Sequence, residues 1–395
     1  ELKRIQRNDP TLNVSFLELK EFEKKKILRR FDNYKIYDIV NIKTQQHYEG
    51  KVSTILITKL SRKDLIHLER EINILSKLNH PSFLKFIGYS PIDFNQIPYP
   101  VIVTEMPPNQ SLNDLLDYER DDEEHIDEWN ATKKLINIYG IASGMAYLHS
   151  NNVIHRNLDP KSIFLDDYLF PKIGNFGLLT KIHTLATMTN LTTCGVKGNP
   201  SYSSPEILQS YDYSKQSDVY AFALIVYEIM TLRIPFYNIN NYNKLINEIV
   251  NKGTRPPFND KIPNCYRQLI EVCWSQNPSE RPTFEEITSV LKNEKEFITE
   301  DVNQKEFEQY VEFIEKSKIE FYSANKVVKF DDLIKMKEEK QKQKQKQSKS
   351  ESKIMPKTKK VENKSTIDDD DDDPKEIIKS MNVDNQFDQV YDDLL

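Results

Sequence analysis

Residues 218–232 read DVYAFALIVYEIMTL, a stretch that is apolar on almost every side. A membrane span needs about 20 apolar residues, so this shorter segment is expected to be a helix buried on all faces inside a domain. Such a helix needs a shell around it, and the sequence provides one. Asn130–Ser150 carries Leu135, Ile138, Ile141, Ala142, Met145 and Leu148 at helical spacing, and a last helix of the domain is predicted over Thr283–Asn293. Upstream the pattern changes. From Phe22 to Thr58, short apolar runs rich in β-branched and aromatic residues alternate with polar turns. YKIYDIVNI and STILIT are predicted strands there, as is PYPVIVTEM at 98–106. Between them, Leu65, Leu68, Ile72 and Leu75 mark a helix over Lys63–Leu78. Strands first and helices afterwards predict an α+β fold with two unequal lobes. A flank (1–20) would precede a small strand-rich lobe (about 21–106) and a larger helical lobe (about 107–295).

Two segments follow. Residues 296–330 are predicted as a helical appendix: Asp301 with Gln304 resembles a capping box, and Phe307, Tyr310, Val311 and Ile314 follow at helical spacing. The stretch 331–395 contains KEEKQKQKQKQSKSESK and then six aspartates at 368–373. Charge blocks of this kind cannot bury enough surface to order themselves, so a disordered, solvating tail is expected. The first residue is Glu rather than Met, which leaves room for an earlier segment.

A net charge of −6 gives no case for a nucleic-acid binder. Cys194, Cys265 and Cys273 have no CxxC spacing, which argues against a disulfide framework or zinc cluster and for a reducing compartment, taken as cytoplasmic. No membrane span or signal peptide is recognisable. Glycine is scarce: nine residues, where usage of about 7% would give nearly thirty. A loop that closes its backbone amides on phosphate needs glycine.

Several short stretches occur in a telling order: Glu71 in LEREINILSKL, TEM at 104–106, HRNLDPKSIFL at 155–165, NFG at 175–177, SPE at 204–206, and CWSQNPSERPTFEEI near 280. Together they resemble the protein kinase domain in its tyrosine-kinase-like branch, over about residues 20–295. The resemblance implies a two-lobed kinase-like fold. It makes Thr104, Glu105 and Met106 the gatekeeper and hinge of a nucleotide cleft, and the 218–232 helix the centre of the large lobe. Arg281 becomes the expected partner of Glu206. His155, Arg156, Phe176, Gly177, Glu206, Asp218 and Arg281 are positions that shape and brace such a domain.

The chemical positions depart from the pattern. Asn157 stands at the catalytic base, whose help is worth about 10²–10⁴-fold and which a neutral amide cannot give. Ser162 and Asn175 replace the two metal ligands, although magnesium favours anionic oxygens, so no metal site is expected. Asp159 replaces a lysine that steadies the γ-phosphate; two like charges 4 Å apart cost roughly 4 kcal/mol at an effective dielectric of 20. Asn199 replaces a threonine that bonds to that loop. Lys51 lies one strand before Glu71, and an ion pair between them is expected, with Lys59 a competing register too near the helix.

Glu49 shares a strand face with Lys51 at a position the family gives to alanine packed on adenine. A carboxylate there opposes nucleotide binding at a cost of roughly several kcal/mol. Phe164 falls at the floor of the same slot, either as core packing or as a filler bridging the lobes. The segment at the glycine-rich loop, ILRRFDNYKIY (27–37), has no glycine, and Arg29 and Arg30 are expected as exposed basic residues at a turn. Arg156 either packs or holds a phosphate on the 178–203 segment with its threonines 180, 184, 187, 189, 192 and 193.

The resemblance thus implies a pseudokinase that scaffolds or acts allosterically on a protein partner, such as an active kinase, with no cofactor. The alternative is a weak or atypical ATP- and magnesium-dependent serine/threonine kinase, and a third reading is a nucleotide sensor that does not hydrolyse. Phe307–Ile314 and the charged tail are candidate partner contacts.

Overall fold

The computed structural model describes residues 16–31, 33–107, 109–121, 125–174, 180–181, 199–239, 241–258 and 261–316. The small lobe is a five-stranded antiparallel sheet ordered β1-β2-β3-β5-β4. Its strands are β1 (Phe22–Arg30), β2 (Tyr34–Asn41), β3 (His47–Ser53), β4 (Phe86–Ser90) and β5 (Val101–Glu105). One helix, α1 (Arg62–Leu75), accompanies the sheet. It starts at Ser61 because the Ser61 and Asp64 side chains each take the other's backbone amide, a capping box. The sheet closes over its own apolar cluster of Leu19, Phe22, Ile39, Val52, Val101 and Val103. Leu19 belongs to it and Leu17 donates its amide to the Tyr89 carbonyl at 2.9 Å, so residues 16–20 are part of the lobe rather than a flank.

STILIT is not a strand. β3 ends at Ser53, and Ile57–Lys59 is a single 3-10 turn. The Ser53 hydroxyl takes the amide of Ile55 at 3.0 Å and donates to its carbonyl at 2.9 Å, which turns the chain away from the sheet. None of residues 53–58 is buried, so the apolar run has no core to face.

The large lobe contains α2 (Leu112–Glu119), α3 (Ala131–Ser150), α4 (Pro205–Ser210), α5 (Lys215–Thr231), α6 (Tyr242–Ile246), α7 (Asn264–Cys273), α8 (Phe284–Asn293) and α9 (Gln304–Lys316). Between α3 and α4 lie β6 (Val153–Ile154), the paired β7 (Ile163–Leu165) and β8 (Pro171–Ile173), and β9 (Thr180–Lys181), which pairs with β6. Helix α5 is the segment the apolar run announced. Val219, Tyr220 and the residues from Phe222 to Tyr227 are at most 1 % exposed. α5 begins at Ser214, whose hydroxyl accepts from Ser217 N at 3.2 Å. Cys265 and Cys273 are buried free thiols, and Cys194 lies outside the described residues.

The expected appendix is an integral wall of this lobe. Phe307, Tyr310, Val311 and Ile314 are all buried, so they are not the partner contacts that their spacing allowed. Tyr310 meets Phe170 with ring centroids 4.7 Å apart, and Phe307 meets Tyr139 edge-on at 5.6 Å. Lys133 of α3 reaches Glu306 of α9 at 2.7 Å. Gly140 of α3 makes the docking possible: a Cβ there would collide with the Tyr310 hydroxyl and come within 2.6 Å of Pro171 Cγ. The cap is Asn303, whose Oδ1 accepts from Glu306 N at 3.2 Å, not Asp301. Asn303 is held in place because its own amide donates to Thr132 Oγ1 at 2.8 Å. Residues 317–395, including the charged tail, lie outside the described residues. Among the described residues no helix is long and apolar enough to cross a membrane.

Candidate functional site: the cleft between sheet and helices

Strand β3 delivers Glu49 and Lys51 to one face, two residues apart. Lys51 Nζ bonds Glu71 Oε1 of α1 at 2.7 Å, with both side chains largely buried. The two residues are brought together as their spacing predicted. Lys59, the competing register, ends the 3-10 turn instead. Above Lys51 sits a group that the sequence reading missed. The ring of Tyr34 lies 4.6 Å from the lysine ammonium and stacks on Phe31 at 4.5 Å. Burial pushes the Tyr34 hydroxyl up from its ordinary value, against the lowering effect of Lys51.

Arg29, expected as an exposed basic side chain, turns inward from β1 and bonds Glu49 Oε1 through Nη2 at 2.6 Å. Its guanidinium carbon stands 5.1 Å from the ring centroid of Phe164 on β7. A single side chain of the small lobe thus ties a carboxylate of its own sheet to an aromatic ring of the large lobe. Burial raises the Glu49 carboxyl and Arg29 counters it. The register of β1 explains the inward turn. Two irregularities, between Lys24 and Ile27 and between Ile27 and Arg29, break the alternation of faces. A signal for it was present: a carboxylate on a cleft face demands a cation, and the arginines of the preceding hairpin were at hand. Phe164 is itself well buried, and Gly174 gives its ring room, since a Cβ at 174 would lie 2.9 Å from it.

At the hinge, Thr104 and Glu105 close β5, opposite Glu49 and Tyr48 of β3, and Met106 follows. Glu105 also faces Lys172 of β8 at 3.7 Å, a second link between the lobes.

The loop from His155 to Ser162 is organised by Asp218. This buried carboxylate accepts from His149 Nε2 at 2.9 Å, His155 N at 2.8 Å and Arg156 N at 3.0 Å. Arg156 has a left-handed backbone (φ 70°), rare for a residue with a side chain, and the amide bond to Asp218 helps hold it there. Its guanidinium lies 4.7 Å from the Tyr213 ring, and burial lowers its pKa. His155 Nε2 faces the Gly174 carbonyl at 3.3 Å, and burial pushes its pKa down.

Asp159 and Ser162 engage each other. Asp159 Oδ1 accepts from Ser162 N at 3.0 Å, and Ser162 Oγ accepts from Asp159 N at 3.1 Å and donates to its carbonyl at 2.7 Å. They form the capping box of the 3-10 turn Pro160–Ser162, and Asp159 is buried. Desolvation raises its carboxyl to about 6, although the bonds from Ser162 oppose this. Asn199 caps the next 3-10 turn, accepting from Ser201 N at 3.1 Å. Asn157, Asp159, Asn199 and Ser203 line one small cavity with Arg156 and Tyr202. The Tyr202 hydroxyl donates to the buried Glu228 carboxylate, which Arg120 also engages, a network that no motif announced.

Lower in the lobe, Arg281 and Glu206 are brought together. Arg281 Nη1 and Nη2 bond the two Glu206 oxygens at 2.6 and 2.9 Å, and further bonds go to the carbonyls of Ser275 and Gln216. Asn175, Phe176, Gly177 and the threonine positions 184–193 lie outside the described residues.

Comparison with known proteins places this geometry. Residues 35–291 match the family model for protein tyrosine and serine/threonine kinases. A probable serine/threonine-protein kinase of Dictyostelium discoideum is 31% identical over 232 residues, covering 58% of this chain and 16% of that protein. The probable serine/threonine-protein kinase drkB of the same organism is 33% identical over 231 residues, 58% of this chain and 31% of drkB. Its dual specificity protein kinase pyk3 is 33% identical over 228 residues, 57% and 16%. The chain therefore spans about a third or less of the length of these relatives. With the family model covering most of its length, and with a five-stranded lobe set on a helical one, this chain belongs to the protein tyrosine and serine/threonine kinase family.

Proposed function

We propose that the chain is a pseudokinase: a kinase fold that works in the cytoplasm by binding a protein partner, in the simplest case an active kinase. Its output is scaffolding or allosteric rather than phosphoryl transfer. The observation that carries this reading is the tie from Glu49 through Arg29 to Phe164. It takes up the two positions that the resemblance gives to the roof and floor of an adenine slot. A nucleotide would have to break the tie and leave Glu49 buried beside an uncharged base.

The lower half of the cleft supports the same reading. A magnesium nucleotide does not fit the side chains present. Ser162 is engaged as a cap, Asp159 is a carboxyl where the family has a cation, and Asn157 can accept no proton from a hydroxyl.

The test is nucleotide binding with and without magnesium. ATP at millimolar concentration is expected to leave the melting temperature unchanged, since stabilisation follows RT ln(1 + [L]/Kd). A magnesium-dependent shift that chelator abolishes would sink the reading. The Lys51–Glu71 pair at 2.7 Å favours one second reading, a weak or atypical ATP-dependent kinase. Phosphotransfer with magnesium or manganese that vanishes in Lys51→Ala would establish it. Binding of ATP without turnover would instead indicate a nucleotide sensor.

A further inference from the structure

Arg29 occupies its place in the cleft as a ligand would. Its guanidinium lies between a carboxylate and the ring of a phenylalanine, 2.6 Å from Glu49 Oε1 and 5.1 Å from the Phe164 centroid. Anion on one side and aromatic face on the other are the two elements that recognise a flat organic cation. Both elements are fixed by the scaffold. Glu49 lies within β3, paired to Asp38 and Thr104 on either side. Phe164 lies within β7, paired to Lys172 and packed against Gly174.

The resident is held less firmly than its receptor. Arg29 keeps about a third of its side-chain surface in solvent, against 12% for Glu49. It engages one carboxylate oxygen, and its Nε is buried with no acceptor among the described residues. It also lies one residue before the end of β1, on a strand with two register irregularities. Lys51 does not compete for the carboxylate, because Glu71 holds it.

We propose that Glu49 and Phe164 form a cation-binding site in which Arg29 is a displaceable resident ligand. The small molecules this cleft accepts are then planar amidinium or guanidinium compounds in place of nucleotides. The inference rests on the reading of the cleft given above, that its adenine-side positions are closed to nucleotides. It concerns the site's ligand class and not the partner.

Benzamidine, a flat cation at neutral pH, and benzamide, its neutral counterpart, separate charge recognition from mere apolar filling. In Arg29→Ala, benzamidine is expected to raise the melting temperature, the folded-to-unfolded ratio rising about 11-fold at ten times its Kd. Wild type should respond less at the same concentration, because Arg29 competes. Benzamide should do nothing in either protein. Arg29→Ala combined with Glu49→Gln should lose the benzamidine response. Arg29→Gln, which keeps the side-chain stem, takes the place of the alanine variant if the latter fails to fold.

Equal shifts from benzamide and benzamidine overturn the proposal. So does a benzamidine response that survives Glu49→Gln, or no response once Arg29 is removed. ATP with magnesium is run beside these on wild type. A shift there counts against the proposed function, while the benzamidine and benzamide pair alone decides the cation site.

Discussion

Arg281 and Arg29 each meet a glutamate at 2.6 Å, but the two pairs are built differently. At the base of the large lobe, the Arg281 side chain is fully enclosed, bonds both Glu206 oxygens and donates to nearby carbonyls. In the cleft, Arg29 bonds one oxygen, leans on one ring and keeps contact with water. The first arrangement is over-determined: each nitrogen of the guanidinium has an acceptor. The second is a local match in which one cation serves much as another would. Where the chain preserves shape, its charges are locked. In the cleft, Arg29 pairs with Glu49 and Lys51 with Glu71, each through a single carboxylate oxygen.

The comparison can be broken most sharply at Arg281. Arg281→Ala leaves Glu206 without its buried cation and is expected to cost about 3–5 kcal/mol in chemical denaturation. A loss near that of an exposed arginine would show that the base is no more rigid than the cleft.

Asp159→Asn comes next, with the opposite sign. The Asp159 carboxyl sits at about 6 in the fold against an ordinary value of 3.8. The folded protein therefore keeps this proton at pH values where the unfolded chain has released it. Stability falls as pH rises from about 4 to 6, and the penalty is complete above that. Asparagine retains an oxygen for the Ser162 amide without the charge. The variant should be more stable than wild type by about 1–3 kcal/mol at pH 7.5, with the gap closing towards pH 4. A gap independent of pH would mean that Asp159 carries no such penalty.

The cleft pair is expected to contribute less. A double-mutant cycle with Arg29→Ala and Glu49→Ala should give a coupling of about 1–2 kcal/mol, reduced by the solvent that reaches Arg29. Coupling as large as the loss at Arg281 would erase the contrast drawn above. Lys51→Ala is expected to cost a comparable amount, about 1–2 kcal/mol, since the Lys51–Glu71 pair is buried to a similar degree. Circular dichroism melts with and without ATP would check it, and the nucleotide should make no difference to either protein.

Much of this was legible in the residues. The buried helix α5 could be read from composition alone, because twelve apolar residues in a stretch of fifteen are too short a run to cross a membrane and too apolar to face water. Lys51 and Glu71 could be matched because a strand followed by a helix sets their reach. Arg29 could not be placed in the same way. Which face it takes depends on two irregularities in β1, and a shift of one residue exchanges the faces of a strand. STILIT misled because apolar β-branched residues describe a preference for pairing, not the presence of a partner. The position of Asp159 in a motif tells which residue it replaces, not what it binds. Its engagement as a cap depends on the turn that Pro160 starts and on the Ser162 amide coming round to meet it.

Tyr310 fills the notch that Gly140 leaves open, so two segments far apart in sequence complete one surface. A chain cut after Asn293 would lose the tyrosine and keep the notch. Tyr139 and Phe170, now covered by α9, would form an apolar scar on the outside of the lobe. Truncation or proteolysis ahead of Gln304 should therefore give an aggregating fragment, and a piece meant to fold cleanly must include α9.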